Sequence, residues 1–404
     1  MNKLKPIGYI FHGLLYGLIF ICLSFLQNAY ATENITIEQI TVDRSDTPFF
    51  LDNKGNVWAY QKPLINEKLI QLSGLKNIVH LAPYVAVDRD GYVYTWGYSV
   101  TGDKRNGFKN SIFVDYTPSI KVDGLKNIIY VAYNAGHFAA IDQFGHIFHW
   151  YASARTQEQN RYSSSFAWQL INWDGTNEMD YSTMRMIASD KEAIKIVINF
   201  RGILALNKDG SVYGWGISPT GQEIVSNEPL SDKVDFNISE SYKVTDISLN
   251  QYHSAFISEG KAHFYGGCDL GGKDYNNRLW SGGAVMDYVM PLEHLKSLSL
   301  SVDDNKIEDV FLDEDGRLWK MFAPPPININ PKDNRLCGFG HHLYNTLHKV
   351  LYRGIDNGMI KFKQVVVNGK VSDFSKHGIY ALAENGSVWT VYDEYLIELE
   401  MVER

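Results

Sequence analysis

One short pattern recurs seven times along these 404 residues and leaves few folds open. An apolar run leads into a polar turn and a glycine. A small apolar residue follows two positions later, and at the third position there is nearly always an aromatic. The glycines are Gly55, Gly91, Gly145, Gly210, Gly260, Gly316 and Gly386. The residues three further on are Trp58, Tyr94, Phe148, Tyr213, His263, Trp319 and Trp389, so only His263 breaks the rule. Each copy reads as a β-hairpin, because a polar residue next to glycine between two apolar strands supplies the positive φ that a tight reversal needs.

A second set of rings stands five residues past five of the glycines: Tyr60, Trp96, Trp150, Trp215 and Tyr265. Third and fifth positions have the same parity, so along a strand both rings point to one face. The glycines fall 36 to 70 residues apart. Repeats of about that length, each holding short strands and a glycine turn, are the mark of propeller blades. A sheet with two apolar faces buries both only between neighbours, so the blades must close into a ring. The expectation is an all-β chain: a seven-bladed β-propeller of four-stranded antiparallel blades that occupies residues 32–404 as one domain. Two long glycine intervals predict insertions near 152–191 and 322–358. Ile35–Val42 and Tyr395–Met401 both read as strands, from opposite ends of the chain, that take part in closing the ring.

Several copies resemble a known family. Trp96-Gly97 with Gly102, and Trp215-Gly216 with Gly221-Gln222, look like the Trp-Gly and Gly-Gln elements of the regulator of chromosome condensation repeat. Gly136-His137-Phe138-Ala139-Ala140 is similar to the strand that precedes them in that repeat, and Tyr252-His253-Ser254-Ala255-Phe256 is a further version. The fifth copy keeps only Tyr265-Gly266-Gly267, and the sixth and seventh lack the Trp-Gly pair. WD repeats fit less well, since Trp-Asp occurs once, at Trp173-Asp174. The resemblance implies a seven-bladed ring that binds other proteins. The eukaryotic founder of the family releases guanine nucleotide from the small GTPase Ran and docks on chromatin through a basic tail, while exported bacterial members include a protein inhibitor of β-lactamases.

At the N-terminus, Lys3 and Lys5 precede an uncharged stretch to Tyr30 that closes on Ala29-Tyr30-Ala31. That layout predicts a signal peptide over residues 1–31, cut after Ala31, and a secreted or periplasmic protein. An uncleaved membrane anchor is the lesser alternative. No second apolar run of that length follows, so no membrane contact is expected once the signal is removed. Formal net charge is −8 and there is no basic run, which argues against nucleic acid as a partner. Beyond the leader only Cys268 and Cys337 remain, either as a possible disulfide in an oxidising compartment or as two buried thiols.

Chemistry-bearing motifs are sparse. There is no phosphate-binding glycine loop, nucleophile elbow, zinc helix or Cys-x-x-Cys pair. His341, His342 and His348 lack metal-site spacing, and Asp313-Glu314-Asp315 reads as turn chemistry. No catalytic residue, metal or cofactor is assigned, and the chain is read as a non-enzyme. The long connections, by contrast, carry rings: Tyr162, Trp168 and Trp173 in one, Tyr275 and Trp280 in another, Phe339 and Tyr344 in a third. Rings in loops give large contact area at little rotamer cost. The leading expectation is therefore a secreted or periplasmic non-catalytic module that presents these loops to a protein partner. Guanine-nucleotide exchange on a small GTPase, and a glycan-binding or glycan-active propeller, are the alternatives.

Overall fold

The computed structural model describes residues 35–43, 47–60, 69–101, 112–134, 137–151, 153–154, 179–180, 184–189, 192–198, 202–216, 243–249, 254–265, 288–289, 291–300, 309–322, 361–375, 379–390, 396–397 and 401–402. These form seven antiparallel sheets in chain order, one per glycine, together with two short accessory hairpins. Blade 3 is representative: Ile128–Asn134 pairs with His137–Asp142, which pairs with Ile147–Tyr151, and Arg185–Ala188 lies outermost. Blade 4 has three strands among the described residues, the others four or more.

The first strands of the blades are Ile37–Val42, Ile78–Ala82, Ile128–Asn134, Ala193–Ile198, Val244–Leu249, Leu295–Ser299 and Val371–Phe374. From the first to the sixth, each packs on the next, and Val371–Phe374 returns to pack on Ile37–Val42. They are thus the innermost strands of a closed ring around a central channel. The carboxy-terminal region does not form the single strand expected over Tyr395–Met401. Leu396–Ile397 completes blade 7, whereas Met401–Val402 runs parallel to Leu69–Gln71 on the outer edge of blade 1. The chain has to cross a blade boundary there, and that crossing splits the strand.

Apolar burial lies between blades rather than within any one of them. One cluster joins blades 1 to 3, and others join 3 to 4, 4 to 5, 5 to 6 and 6 to 7. The parity argument holds where both rings are described: Trp96 and Trp150 are fully buried in the first cluster, and Tyr94 and Phe148 pack against it. Trp215 occupies its strand opposite Ile203. Trp319 and Trp389 likewise pack against the clusters shared with their preceding blades. Each buried side chain of this size contributes on the order of 1.5–3 kcal/mol. In blade 5 His263 fills the aromatic position by stacking on Phe256, ring centroids 4.9 Å apart and nearly parallel.

The hairpins owe their shape to the residue that ends the second strand. In blade 1, Asp52 Oδ1 accepts from the Lys54 and Asn56 N–H groups, and Oδ2 accepts from Trp58 Nε1 at 2.8 Å. Asp88 treats Asp90, Tyr92 and the Tyr94 hydroxyl in the same way. Asp313 does so with Asp315, Arg317 and Trp319. Burial works against the charge of Asp313, but donors from Trp319 and Arg317 outweigh it and hold this carboxyl below its ordinary value. One carboxylate therefore ties the turn to the aromatic three residues past the glycine.

The glycine does more than turn the chain. In six blades its carbonyl accepts the N–H of the first residue of the next inner strand: Gly55 from Ile78, Gly91 from Ile128, Gly145 from Ala193, Gly210 from Val244, Gly260 from Leu295 and Gly316 from Val371. The backbones approach so closely that a Cβ on Gly91 would stand 2.7 Å from Asn127 Cα, and one on Gly145 2.5 Å from Glu192 Cα. We expect Gly91→Ala to cost about 2 kcal/mol or more, from left-handed backbone strain plus the clash. Gly369 also has positive φ but open space around it, so Gly369→Ala should cost about 1 kcal/mol. Urea unfolding of both variants measures the difference, and equal losses would remove the close approach as a source of stability.

Candidate functional site

Each inner strand starts with the same four-residue grammar: a buried apolar residue, an exposed one, a polar one, then a buried apolar one. All seven carry a β-bulge between the first and third of these. The second residue is the extra one, and the ladder resumes at the third. Round the ring the third positions are Gln39, His80, Tyr130, Lys195, Asp246, Ser297 and Asp373.

This polar belt stitches the blades together. Gln39 bridges to Leu81 of blade 2, donating from Nε2 to its carbonyl and accepting its N–H at Oε1, both at 2.9 Å. Val131 of blade 3 donates its N–H to His80 Nδ1 at 3.4 Å, and the His80 and Tyr130 rings lie 4.2 Å apart. Lys195 Nζ pairs with Asp246 Oδ1 of the next blade. Asp246 Oδ2 in turn accepts from Ser297 Oγ and the Leu298 N–H of blade 6. Blade 7 differs, because Asp373 Oδ1 accepts the N–H of its own neighbour Phe374.

These side chains also feel one another across the ring. Lys195 acts on His80, two blades away, and on Asp373, three blades away. Burial lowers the His80 pKa to about 4, helped by the Lys195 charge. Burial raises Asp373 to about 6, with Asp246 adding to the effect and the Phe374 N–H, Lys195 and Lys296 opposing it. Tyr130 is raised by burial, partly offset by Lys195. Burial alone would lower Lys195, but Asp246, Tyr130 and Asp373 together keep it above its ordinary value. Elsewhere His137 and His149 are buried with Nδ1 and Nε2 3.2 Å apart, and His137 is lowered by burial to about 4. One ring donates and the other accepts across this contact. Among the described residues no group of three or more His, Cys, Asp or Glu is placed to hold a metal, and no helix is long and apolar enough to cross a membrane.

The two rims of the ring are unequal. Second strands end, and first and third strands begin, on the rim that holds the glycine turns. Where a fourth strand is described, the link there to the next blade is short. Third strands end on the opposite rim, where the fourth begin. The chain leaves that rim after Tyr151 and rejoins the sheet at Arg185; it leaves after Tyr265 and rejoins at Tyr288, and leaves after Phe322 and rejoins at Lys361. Tyr162, Trp168, Trp173, Tyr275, Trp280, Phe339 and Tyr344 all fall within these three connections. They lie outside the described residues, as do Cys268, Cys337 and the histidines at 341, 342 and 348. Beneath this rim Tyr84, at φ 62°, sits among Phe49, Trp96 and Tyr133, and its hydroxyl donates to Asp43 of blade 1.

No protein-family model matches the chain, and neither does any curated protein. The likeness to solved structures is one of fold. Prp20p from Saccharomyces cerevisiae is 14% identical with a TM-score of 0.44, over 71% of this chain and 72% of its own; that structure was described with its binding properties to Gsp1p and histones. The WD40 domain of SCAP from fission yeast is 10% identical with a TM-score of 0.41, over 90% of this chain and 83% of its own. AztD from Citrobacter koseri, in its apo form, is 8% identical with a TM-score of 0.41, covering 91% and 81%. The seven blades themselves stand on this chain's own strand pairings.

Residue identity alone does not mark the polar belt, because its members share a position and not a residue type. The signal that marks it is the apolar, exposed, polar, apolar quartet at the start of every inner strand. Belt titration has a definite sign. An unfolded histidine protonates near pH 6.5, so neutral His80 and His137 lose stability for the fold as pH falls from 6.5 to 4. Asp373 does the reverse: its folded form takes up a proton near pH 6 and its unfolded form only near 3.8, so it adds stability as pH falls through that window. Asp373→Asn should therefore steepen acid destabilisation between pH 6 and 4 by about one proton, read from urea midpoints against pH. An unchanged slope would refute the shift.

Proposed function

We propose that this chain is an exported, non-catalytic propeller whose long-connection rim captures a protein partner. One observation carries the reading: the three ring-bearing connections, from three different blades, leave and rejoin the sheets on the same rim. A partner lying across that rim has three ring-bearing connections, from blades 3, 5 and 6, to draw anchors from, and a few anchors supply most of an interface's energy. Division of labour between the rims supports it further. Residues of the repeat are committed to turns and blade contacts on the glycine rim, while length and ring content vary on the other. Export rests on the leader-like residues 1–31, so the partner belongs to the cell envelope or the medium.

Cross-linking capture with the tagged chain tests the proposal. Replacing Trp168, Trp173 and Trp280 with alanine should reduce capture of a defined partner by at least about tenfold, the loss of 1.4 kcal/mol or more typical of anchor residues. Lys54→Glu and Lys208→Glu, on the glycine rim, should leave capture unchanged. Normal capture by the triple variant would remove the rim assignment. Acceleration of nucleotide release from a small GTPase by substoichiometric protein would favour the exchange-factor alternative instead, and turnover of a polysaccharide would favour a glycan-active one.

A further inference from the structure

At the second position of the inner strands, next to the polar belt, the ring has two unlike sides. Blades 2, 3 and 4 place Val79, Ile129 and Ile194 there, 47%, 49% and 47% exposed. The remaining blades place Glu38, Thr245, Lys296 and Ser372, all exposed. Inner strands begin on the glycine rim, so these residues surround that mouth of the channel, away from the aromatic-bearing connections. Three neighbouring β-branched side chains thus form an apolar arc facing a hydrophilic one.

The charges on the hydrophilic side do not cancel. Lys195 and Asp246 neutralise each other within the belt. Asp246 is then fully engaged by Lys195, Ser297 and the Leu298 N–H. Among the second and third positions that leaves the carboxylates of Glu38 and Asp373, on adjacent blades 1 and 7, against the ammonium of Lys296 on blade 6, while Lys243 and Lys370 lie against the glycine turns of Gly210 and Gly316. Among the described residues Asp373 receives one hydrogen bond, from Phe374, on one of its two oxygens. An acceptor recessed in the channel, an unbalanced negative charge and an apolar wall opposite together describe a ligand with a cationic head and a hydrocarbon body.

We propose that the glycine-rim mouth of the channel binds a primary alkylammonium ion, its head on Asp373 and its chain along Val79, Ile129 and Ile194. Tyr130 and His80, belt residues whose tilted rings lie 4.2 Å apart on the side of the arc, line the path of the chain. Lys296 sets the selectivity, repelling a second positive charge near the head, so monoamines are preferred to diamines of equal length.

Titration calorimetry of the whole chain at pH 8 tests this with hexylammonium, hexanol and hexanoate, since both the amine and Asp373 are ionised there. Hexylammonium should bind and the two isosteres should not. Each buried methylene is worth about fourfold in affinity, so butylammonium should bind on the order of tenfold more weakly. Asp373→Asn should weaken hexylammonium by about tenfold or more through loss of a charge-assisted hydrogen bond. Should that variant unfold, Ile129→Thr keeps the shape and β-branching while making the wall polar, and should weaken hexylammonium but not methylammonium. Equal binding of hexanol, no binding of any probe, or unchanged affinity in a folded variant would each overturn the proposal. All these readouts are independent of partner capture at the other rim.

Discussion

The structure depends on how closely each glycine turn can approach the start of the next blade. No single sheet here has a core of its own, since its apolar residues are shared with a neighbour. Packing at that depth brings two backbones together where a side chain would otherwise stand. Glycine meets both demands at once, taking the positive φ of the turn and leaving its carbonyl open to the next blade's first N–H. Stability is therefore a property of the junctions, and closure by Met401–Val402 on the edge of blade 1 matters because a ring with one open seam leaves two blade faces without partners.

This arrangement makes the two rims structurally unlike. On the glycine rim, turn carboxylates, glycines and their facing backbones are bound to one another and tolerate little change. On the other rim a longer connection between third and fourth strands disturbs neither the inter-blade hydrogen bonds nor the apolar clusters. Buried rings such as Trp96 and Trp150 support that rim from below. A rigid torus that carries variable segments on one side is suited to recognition, because binding need not pay the entropy of ordering the platform.

The channel is governed by different physics. Seven side chains of unlike chemistry are held at one level by seven bulges, and among them Lys195 acts on the ionisation of His80, Tyr130 and Asp373. Burial drives His80 toward neutrality and Asp373 toward protonation, and the Lys195–Asp246 pair survives because Ser297 and Leu298 complete its hydrogen bonding. His80 and Asp373 respond to acid with opposite signs, which flattens the belt's net response to pH.

The number of blades, the hairpins and the shared face of the two ring positions were all legible in the sequence, because each depends on local residue type: a glycine for the turn, an aromatic at fixed parity, an apolar run for a strand. Asp52 and Asp313 could be read as turn residues, but not as partners of Trp58 and Trp319. The splitting of the last strand, the common rim of the three long connections and the convergence of Gln39, His80, Tyr130, Lys195, Asp246, Ser297 and Asp373 were decided only in three dimensions. Strand direction and ring closure bring together residues 40 to 330 positions apart in the chain, and nothing in their individual identities records that meeting.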